Sequence, residues 1–355
     1  MKKDNCSDCS RLGKVGGQAV IEGVMMKAGV KTVTTCRKED GSLVVTDGEF
    51  HSVRKKYKIL NMPILRGVIN FVEMMILSFR TLSISADALD LDGDAEKKKK
   101  SGDESGVSAL TTILMIVASI LGVVLSVVLF MFLPTFLSDL ADRYLFKLGV
   151  YRAVLEGVLK IAIFLAYLSL VTLMKDIRRT FMYHGAEHKS IACFEAGGEL
   201  TPENAAKHKR FHPRCGTSFM FLMILLGVIA GLFLRVIWPN MGKWAYMGIR
   251  LGILPIIMGL GYEFILFAGK HDNFITRAVS APGLWVQRIT TKEPTPDMLE
   301  VAIISIKCAL RDDIPEFQEF WQSRPWEKKD EPQEVQTTRE EAIEDEADGG
   351  AENPQ

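Results

Sequence analysis

Long apolar blocks alternate with short polar intervals along this chain, and the blocks predict most of its elements. Residues 109–137, "ALTTILMIVASILGVVLSVVLFMFLPTFL", hold no charge and exceed the roughly 20 residues that carry a helix across a bilayer. Residues 153–174 predict a second span, with Glu156 and Lys160 one helical turn apart near its start. Residues 218–238 predict a third. Residues 244–268 predict a fourth, which Pro255 interrupts as a kink that a membrane helix tolerates. The fold class expected is therefore mainly α: a polytopic membrane protein with about four transmembrane helices over 109–268.

The polar intervals carry the remaining elements. In the N-terminal region 1–58, "KTVTTCRKEDGSLVVTDGEF" (31–50) reads as a β-hairpin turning at Gly41. The glycine-rich "VGGQAVIEGVMMK" (15–27) reads as a turn leading into a strand. Residues 59–90 are apolar but broken by Arg66, Glu73 and Arg80, which favours an amphipathic helix on the membrane surface or packed on the bundle. A polar linker follows at 91–108. Beyond the spans, 269–323 reads as a helical region. Its 295–313 stretch is an amphipathic helix with Leu299, Ala302, Ile303, Ile306 and Leu310 on one face. Residues 324–355, with 4 basic and 11 acidic side chains, form an acidic tail expected to be disordered.

Charge orients these elements. Lys and Arg crowd the segment before the first span and the 175–217 interval, while 138–152 and 239–243 are less basic, so both termini and the 175–217 loop are expected in the cytosol. No apolar stretch follows the first ten residues, so no cleavable signal peptide is expected. Formal net charge is zero over 355 residues, and nothing in it suggests a nucleic-acid partner. The six cysteines lack the spacing of a disulfide scaffold, and Cys6–Cys9 is a single C-x-x-C without a second pair.

Candidate chemistry concentrates in the basic loop. "YHGAEHKSI" places His184 and His188 one helical turn apart, so two imidazoles can grip one divalent ion, with zinc the first choice. Glu187 precedes the second histidine, the His-x-x-Glu-His arrangement in which the glutamate serves as general base. A polar helix end rich in histidine is the plainer alternative. "KHKRFHPRCGTSF" then adds His208, His212 and Cys215, so four of six histidines fall between 184 and 212. His212 and Cys215 are the nearest further ligands, and His208 could instead face a substrate. Glu263 is an ionisable group inside a predicted span, hence a default functional candidate, with pairing to an arginine as the alternative. Glu22 could enter the site as a carboxylate; the stretch around it matches no phosphate-binding loop.

Taken together, "GGQAVIEGVMMK", "MPILRGVINFVE", "YHGAEHKSI", "HPRCGTSF" and "VAIISIK" resemble the YqhQ-like family of uncharacterised bacterial membrane proteins, domain of unknown function 1385, over about residues 13–315. The resemblance implies a metal-dependent membrane enzyme without an assigned substrate. It gives His184, Glu187, His188, His212 and Cys215 the suspected metal role. Gln18, Glu22 and Arg66 receive a family position but no task. The resulting expectation is a multi-pass protein of the bacterial inner membrane, in contact with lipid. It would hydrolyse a membrane-bound or peptide substrate at a cytosol-facing juxtamembrane site. One alternative is a non-catalytic scaffold or assembly factor with a structural metal. A transporter is the other, with Glu156, Lys160, Arg235, Arg250 and Glu263 along its path.

Overall fold

The computed structural model describes residues 11–89, 117, 120–145, 147–149, 151–270 and 273–327. The Cys6–Cys9 pair, the 91–108 linker, most of 109–119 and the acidic tail from 328 onward lie outside the described residues.

The N-terminal region is a four-stranded antiparallel meander in the order β1 (Val15–Val20), β2 (Gly23–Ala28), β3 (Lys31–Arg37), β4 (Leu43–Glu49). The hairpin expected at Gly41 forms, with that residue at φ +82°. The glycine-rich stretch, however, is more than a turn before a strand. It supplies both β1 and β2, which pair from Val15↔Ala28 to Val20↔Gly23 around a two-residue connection. Glu22 sits in that connection at φ 48°, the left-handed region that tight hairpin turns require.

Helix α1 (Leu65–Ala88) is continuous, and its length and apolarity suffice to cross a membrane despite its charges. Those charges are partnered. Glu73 accepts from Ser52 Oγ and from the backbone N–H of Val53 at 2.8 Å, and Arg66 pairs with Glu263. On its outward side Val72, Met75, Ile76, Phe79 and Leu82 form an exposed apolar stripe at helical spacing.

Helix α2 (Ile120–Tyr144) runs seven residues past the expected end of the first span. Its π-helical segment Val128–Phe132 lies just before Pro134, where the missing N–H and the ring disturb the regular ladder. Helix α3 (Tyr151–Val171) follows, then α4 (Lys175–Glu195), the short α5 (Pro202–Ala206), and α6 (Gly216–Ile237). The fourth expected span is broken into α7 (Lys243–Gly252) and α8 (Leu254–Lys270), bent by 42° at Ile253, two residues before Pro255. Four helices, α1, α2, α3 and α6, are thus long and apolar enough to cross a membrane, and the bent pair adds a fifth candidate.

The chain closes with α9 (Phe274–Thr290), α10 (Pro296–Ala309) and α11 (Pro315–Ser323). Helix α10 differs from the one-faced amphipath expected of it. Met298, Val301, Ile304 and Cys308 are buried as well as Leu299, Ala302 and Ile306. The reason is a second packing partner: the sheet takes one side of α10 and α4 the other. Val24, Met26, Val33, Ala186, Phe194, Val301 and Ile306 share this core. Burial also pushes the thiols of Cys36 and Cys308 up to about 12, which marks both as inert packing groups.

Candidate metal centre

Helix α6 packs along α9, and the start of α6 and the end of α9 meet α4, which lies against the sheet. His184 and His188 lie on one face of α4, with ring centroids 4.4 Å apart. Cys215 is the N-cap of α6, so its sulfur sits at the positive end of that helix dipole. His184, His188 and Cys215 form a group in which one donor atom from each lies within 4.8 Å of the others.

What fixes these rings is backbone. His184 Nδ1 lies 2.8 Å from the Thr290 carbonyl, and His188 Nδ1 lies 2.5 Å from the Arg210 carbonyl. A carbonyl oxygen can only accept, so each Nδ1 carries the proton and each Nε2 is left bare as a donor to a cation. His184 Nε2 points at Cys215 Sγ, 3.2 Å away. Metal-binding histidines are commonly oriented by just such an outer contact. Burial also lowers the His188 imidazole from its ordinary value, which favours the neutral, ligating form, although contact with Cys215 opposes the shift.

Two close approaches hold the accepting carbonyls in place. The segment after α9 crosses α4 at Gly185, where an added Cβ would meet the Lys292 carbonyl oxygen at 2.1 Å. The Lys292 N–H donates to the Phe181 carbonyl in the same crossing. On the other side Gln287, fully buried on α9, accepts from the His212 N–H and donates to the His212 carbonyl, both at 2.8 Å. Its amide also donates to Ser218 Oγ. Gln287 thus clamps the loop that carries Arg210, His212 and Cys215. Sequence reasoning missed it; the available signal was one amide directly after the apolar run Leu284, Trp285 and Val286.

The other named residues fall in different places. His212 stands 5.6 Å from His188 between ring centroids, but its Nε2 lies 3.6 Å from Glu195 Oε2, outside the three-donor group. His208 is also outside that group and half-buried; burial, with the charge of Lys189, lowers its imidazole. Glu187 is buried, and its Cγ would lie 3.0 Å from a Cβ placed on Gly17 of β1, so a bare glycine is what admits it beneath the sheet. Burial pushes its carboxyl up to about 7, against an opposing pull from His184.

The N-terminal candidates serve other contacts. Glu22 pairs with Arg179 and accepts from the Tyr183 hydroxyl. Gln18 ties β1 to α1, accepting from Ser78 Oγ at 2.6 Å and donating to Thr81 Oγ1. Arg66 and Glu263 pair with each other where α1 meets α8.

Comparison with known proteins sets this architecture in context. Residues 62–312 match the family described as protein of unknown function (DUF1385). The chain belongs to that family. It is also 31% identical over 302 residues to the uncharacterized protein YqhQ of Bacillus subtilis (strain 168), covering 83% of this chain and 92% of that one. No solved structure matches it. The family match begins inside the segment before α1, while the 302-residue likeness to YqhQ extends over a longer part of the chain.

Proposed function

We propose that this DUF1385 protein is a membrane-embedded, zinc-type metalloenzyme whose His184, His188 and Cys215 hold one divalent ion at the cytosolic face of the inner membrane. The observation that carries the reading is the pair of backbone carbonyls on the two Nδ1 atoms, which leaves both Nε2 atoms and the Cys215 sulfur converging. The donors fit the group: two imidazoles and a sulfur are zinc ligands, and three protein ligands are the number that leaves a position open for chemistry. When bound, such an ion acts as a Lewis acid on water and on carbonyl or phosphoryl oxygens.

The chain's own residues supply the rest. Glu187, one residue before a ligand and held close to neutrality by burial, is the group that takes up and returns a proton at physiological pH. Gln287 and the Lys292 crossing keep the ligands aligned. Helix α6 leads directly from the ligand Cys215 into one of the most apolar stretches of the chain, so a substrate with a lipid-buried or membrane-inserted portion reaches the site without leaving the bilayer. Hydrolysis of a membrane-bound or peptide substrate is the reaction this arrangement serves best.

A second reading, a structural metal in a non-catalytic scaffold, draws on the packing of Glu187 against Gly17 on the sheet side of α4. One series separates the two. Metal analysis of the purified chain should find a stoichiometric ion that His184→Ala, His188→Ala and Cys215→Ser each remove. Equal, negligible metal in all four samples defeats both readings. With metal retained, loss of cellular complementation in Glu187→Gln supports the enzyme, and full complementation supports the scaffold.

A further inference from the structure

Helix α1 is long and apolar enough to cross a bilayer, but its contacts bring it back to the side it left. Leu77 shares a buried cluster with Val20, Met25 and Cys36 of the sheet, and Ala88 and Leu89 pack against it. Gln18 of β1 also holds Ser78 and Thr81. The chain therefore leaves the sheet after Glu49 and lies against it again from Leu77. Parity gives the same answer. Helix α4 follows α3 and packs on the sheet, where Glu187 meets Gly17. If α1 crossed, the two spans α2 and α3 would set α4 down on the side of the bilayer opposite the sheet.

The outgoing and returning arms run side by side. Ser52 and the Val53 N–H donate to Glu73, and Arg54 donates to Asn70 Oδ1 at 3.2 Å. Between the arms the chain turns at Ile64, whose φ of 70° is one that β-branched residues rarely adopt. That turn docks on α8. A Cβ on Gly259 would meet the Ile64 carbonyl oxygen at 2.6 Å, and Arg66 is answered by Glu263. The depth is readable from α6. Gly261 stands against Phe219, Met223 and Leu226, and Phe71 lies 6.1 Å from Phe219 between ring centroids. The tip thus reaches only the first three turns of a 22-residue helix.

What this hairpin shows outward is apolar. Tyr57, Ile59 and Met62 on the outgoing arm are more than half exposed. Val72, Met75, Ile76, Phe79 and Leu82 follow on the α1 face opposite Leu77 and Thr81. Charge separates this surface from the bundle interior, where ions are partnered. At the far end of α6, Glu156 pairs with Arg250, which also donates to the Tyr246 hydroxyl at 3.3 Å, and Arg235 stacks over the Tyr246 ring. Lys56 and Lys58, by contrast, are exposed and meet no carboxylate among the described residues. Lysines interleaved with Tyr and Ile suit a headgroup layer, because their stems lie on apolar surface while the ammonium groups reach phosphate. We infer that residues 53–82 form a re-entrant hairpin that dips into one leaflet, its exposed face covered by lipid and its lysines on anionic headgroups. The inference rests on the reading of the bundle as membrane-embedded and is independent of the metal. It leaves α2, α3, α6 and the bent α7–α8 pair as the spans, an even number that returns α10 to the sheet.

The test uses the full chain in closed liposomes of phosphatidylcholine and phosphatidylglycerol. One protease site is placed ahead of residue 1 and another within the 91–108 linker of the same chain. Added protease should cut both sites of a molecule or neither; molecules cut at one site alone overturn the hairpin. Benzoylphenylalanine then replaces Ile59, Phe79 or, as a reference in the bundle, the exposed Phe233 of α6, and irradiation products are read by mass spectrometry. Lipid adducts are expected at all three. With Lys56→Gln and Lys58→Gln, the share of phosphatidylglycerol among the Ile59 adducts should fall about fivefold for each lysine removed. An unchanged share overturns the anionic contact. Lipid adducts at 233 with only protein adducts at 59 and 79 mean that another chain covers this face, which sinks the inference and leaves the membrane reading standing. No lipid adduct at any of the three positions sinks both.

Discussion

The two ends of α6 hold polar clusters of opposite design. Around Cys215 the side chains are two imidazoles and a sulfur, the imidazoles held by main-chain carbonyls and one donor atom of each residue within 4.8 Å of the others. Around Tyr246 they are charges, held mainly by one another within apolar helices. The first is set by main chain, since carbonyls from α9 and the 210 loop orient its imidazoles. The second depends on its own ion pairs, so removing one member leaves another buried without its counter-charge. Preorganisation by backbone and mutual neutralisation by side chains are therefore separable, and substitutions at each end should behave differently.

The largest effect is expected at the charged end. Glu156→Ala leaves Arg250 buried without a carboxylate and should lower stability by about 3–5 kcal/mol, read as thermal unfolding in detergent. A loss below about 1 kcal/mol would show that water already solvates this cluster. Next is Gly185→Ala, whose Cβ must displace the Lys292 carbonyl. A stability loss of about 2–3 kcal/mol is expected, together with reduced metal content, because the same segment presents the Thr290 carbonyl to His184. Retention of full metal content with that stability loss would uncouple the crossing from the site.

Smaller still is Gln287→Leu, which frees two main-chain groups of His212. It should cost about 1–3 kcal/mol and weaken metal binding by about 10–100-fold, measured by competition with a chelating dye. The smallest is His208→Ala, expected to change stability by less than about 0.5 kcal/mol and to leave metal content alone. A metal-free His208→Ala protein would put that ring among the ligands and redraw the site.

Much of this architecture was legible in the chain because long apolar runs mark it. A helix able to face lipid must be apolar around most of its circumference, and α2, α3 and α6 announce themselves within one to seven residues at every end that is described. The i, i+4 histidines were legible for the same kind of reason, since helical spacing alone puts His184 and His188 together. Positions set by distant partners were not. The β1–β2 hairpin was obscured because Gly17 and Gly23 read as turn residues. Both are glycine to admit neighbours, Glu187 at one and the Thr35 carbonyl and Cys36 at the other. The place of the His212 ring beside Glu195, 17 residues away, rests on a contact that no spacing shows. The full burial of α10 was hidden because only tertiary packing gives it a second apolar partner, although Met298, Val301 and Ile304 were visible as extra apolar positions.

The union of β2 with α10 has a bearing on how the chain is made. Ser305 Oγ donates to the Val24 carbonyl across 281 positions of sequence, and every candidate span lies between those two residues. During synthesis the strands therefore leave the ribosome long before the helix that covers them, and their apolar face must wait while every candidate span is made. A nascent chain halted before residue 296 presents an open sheet, and delivery of α10 is the event that covers its apolar face.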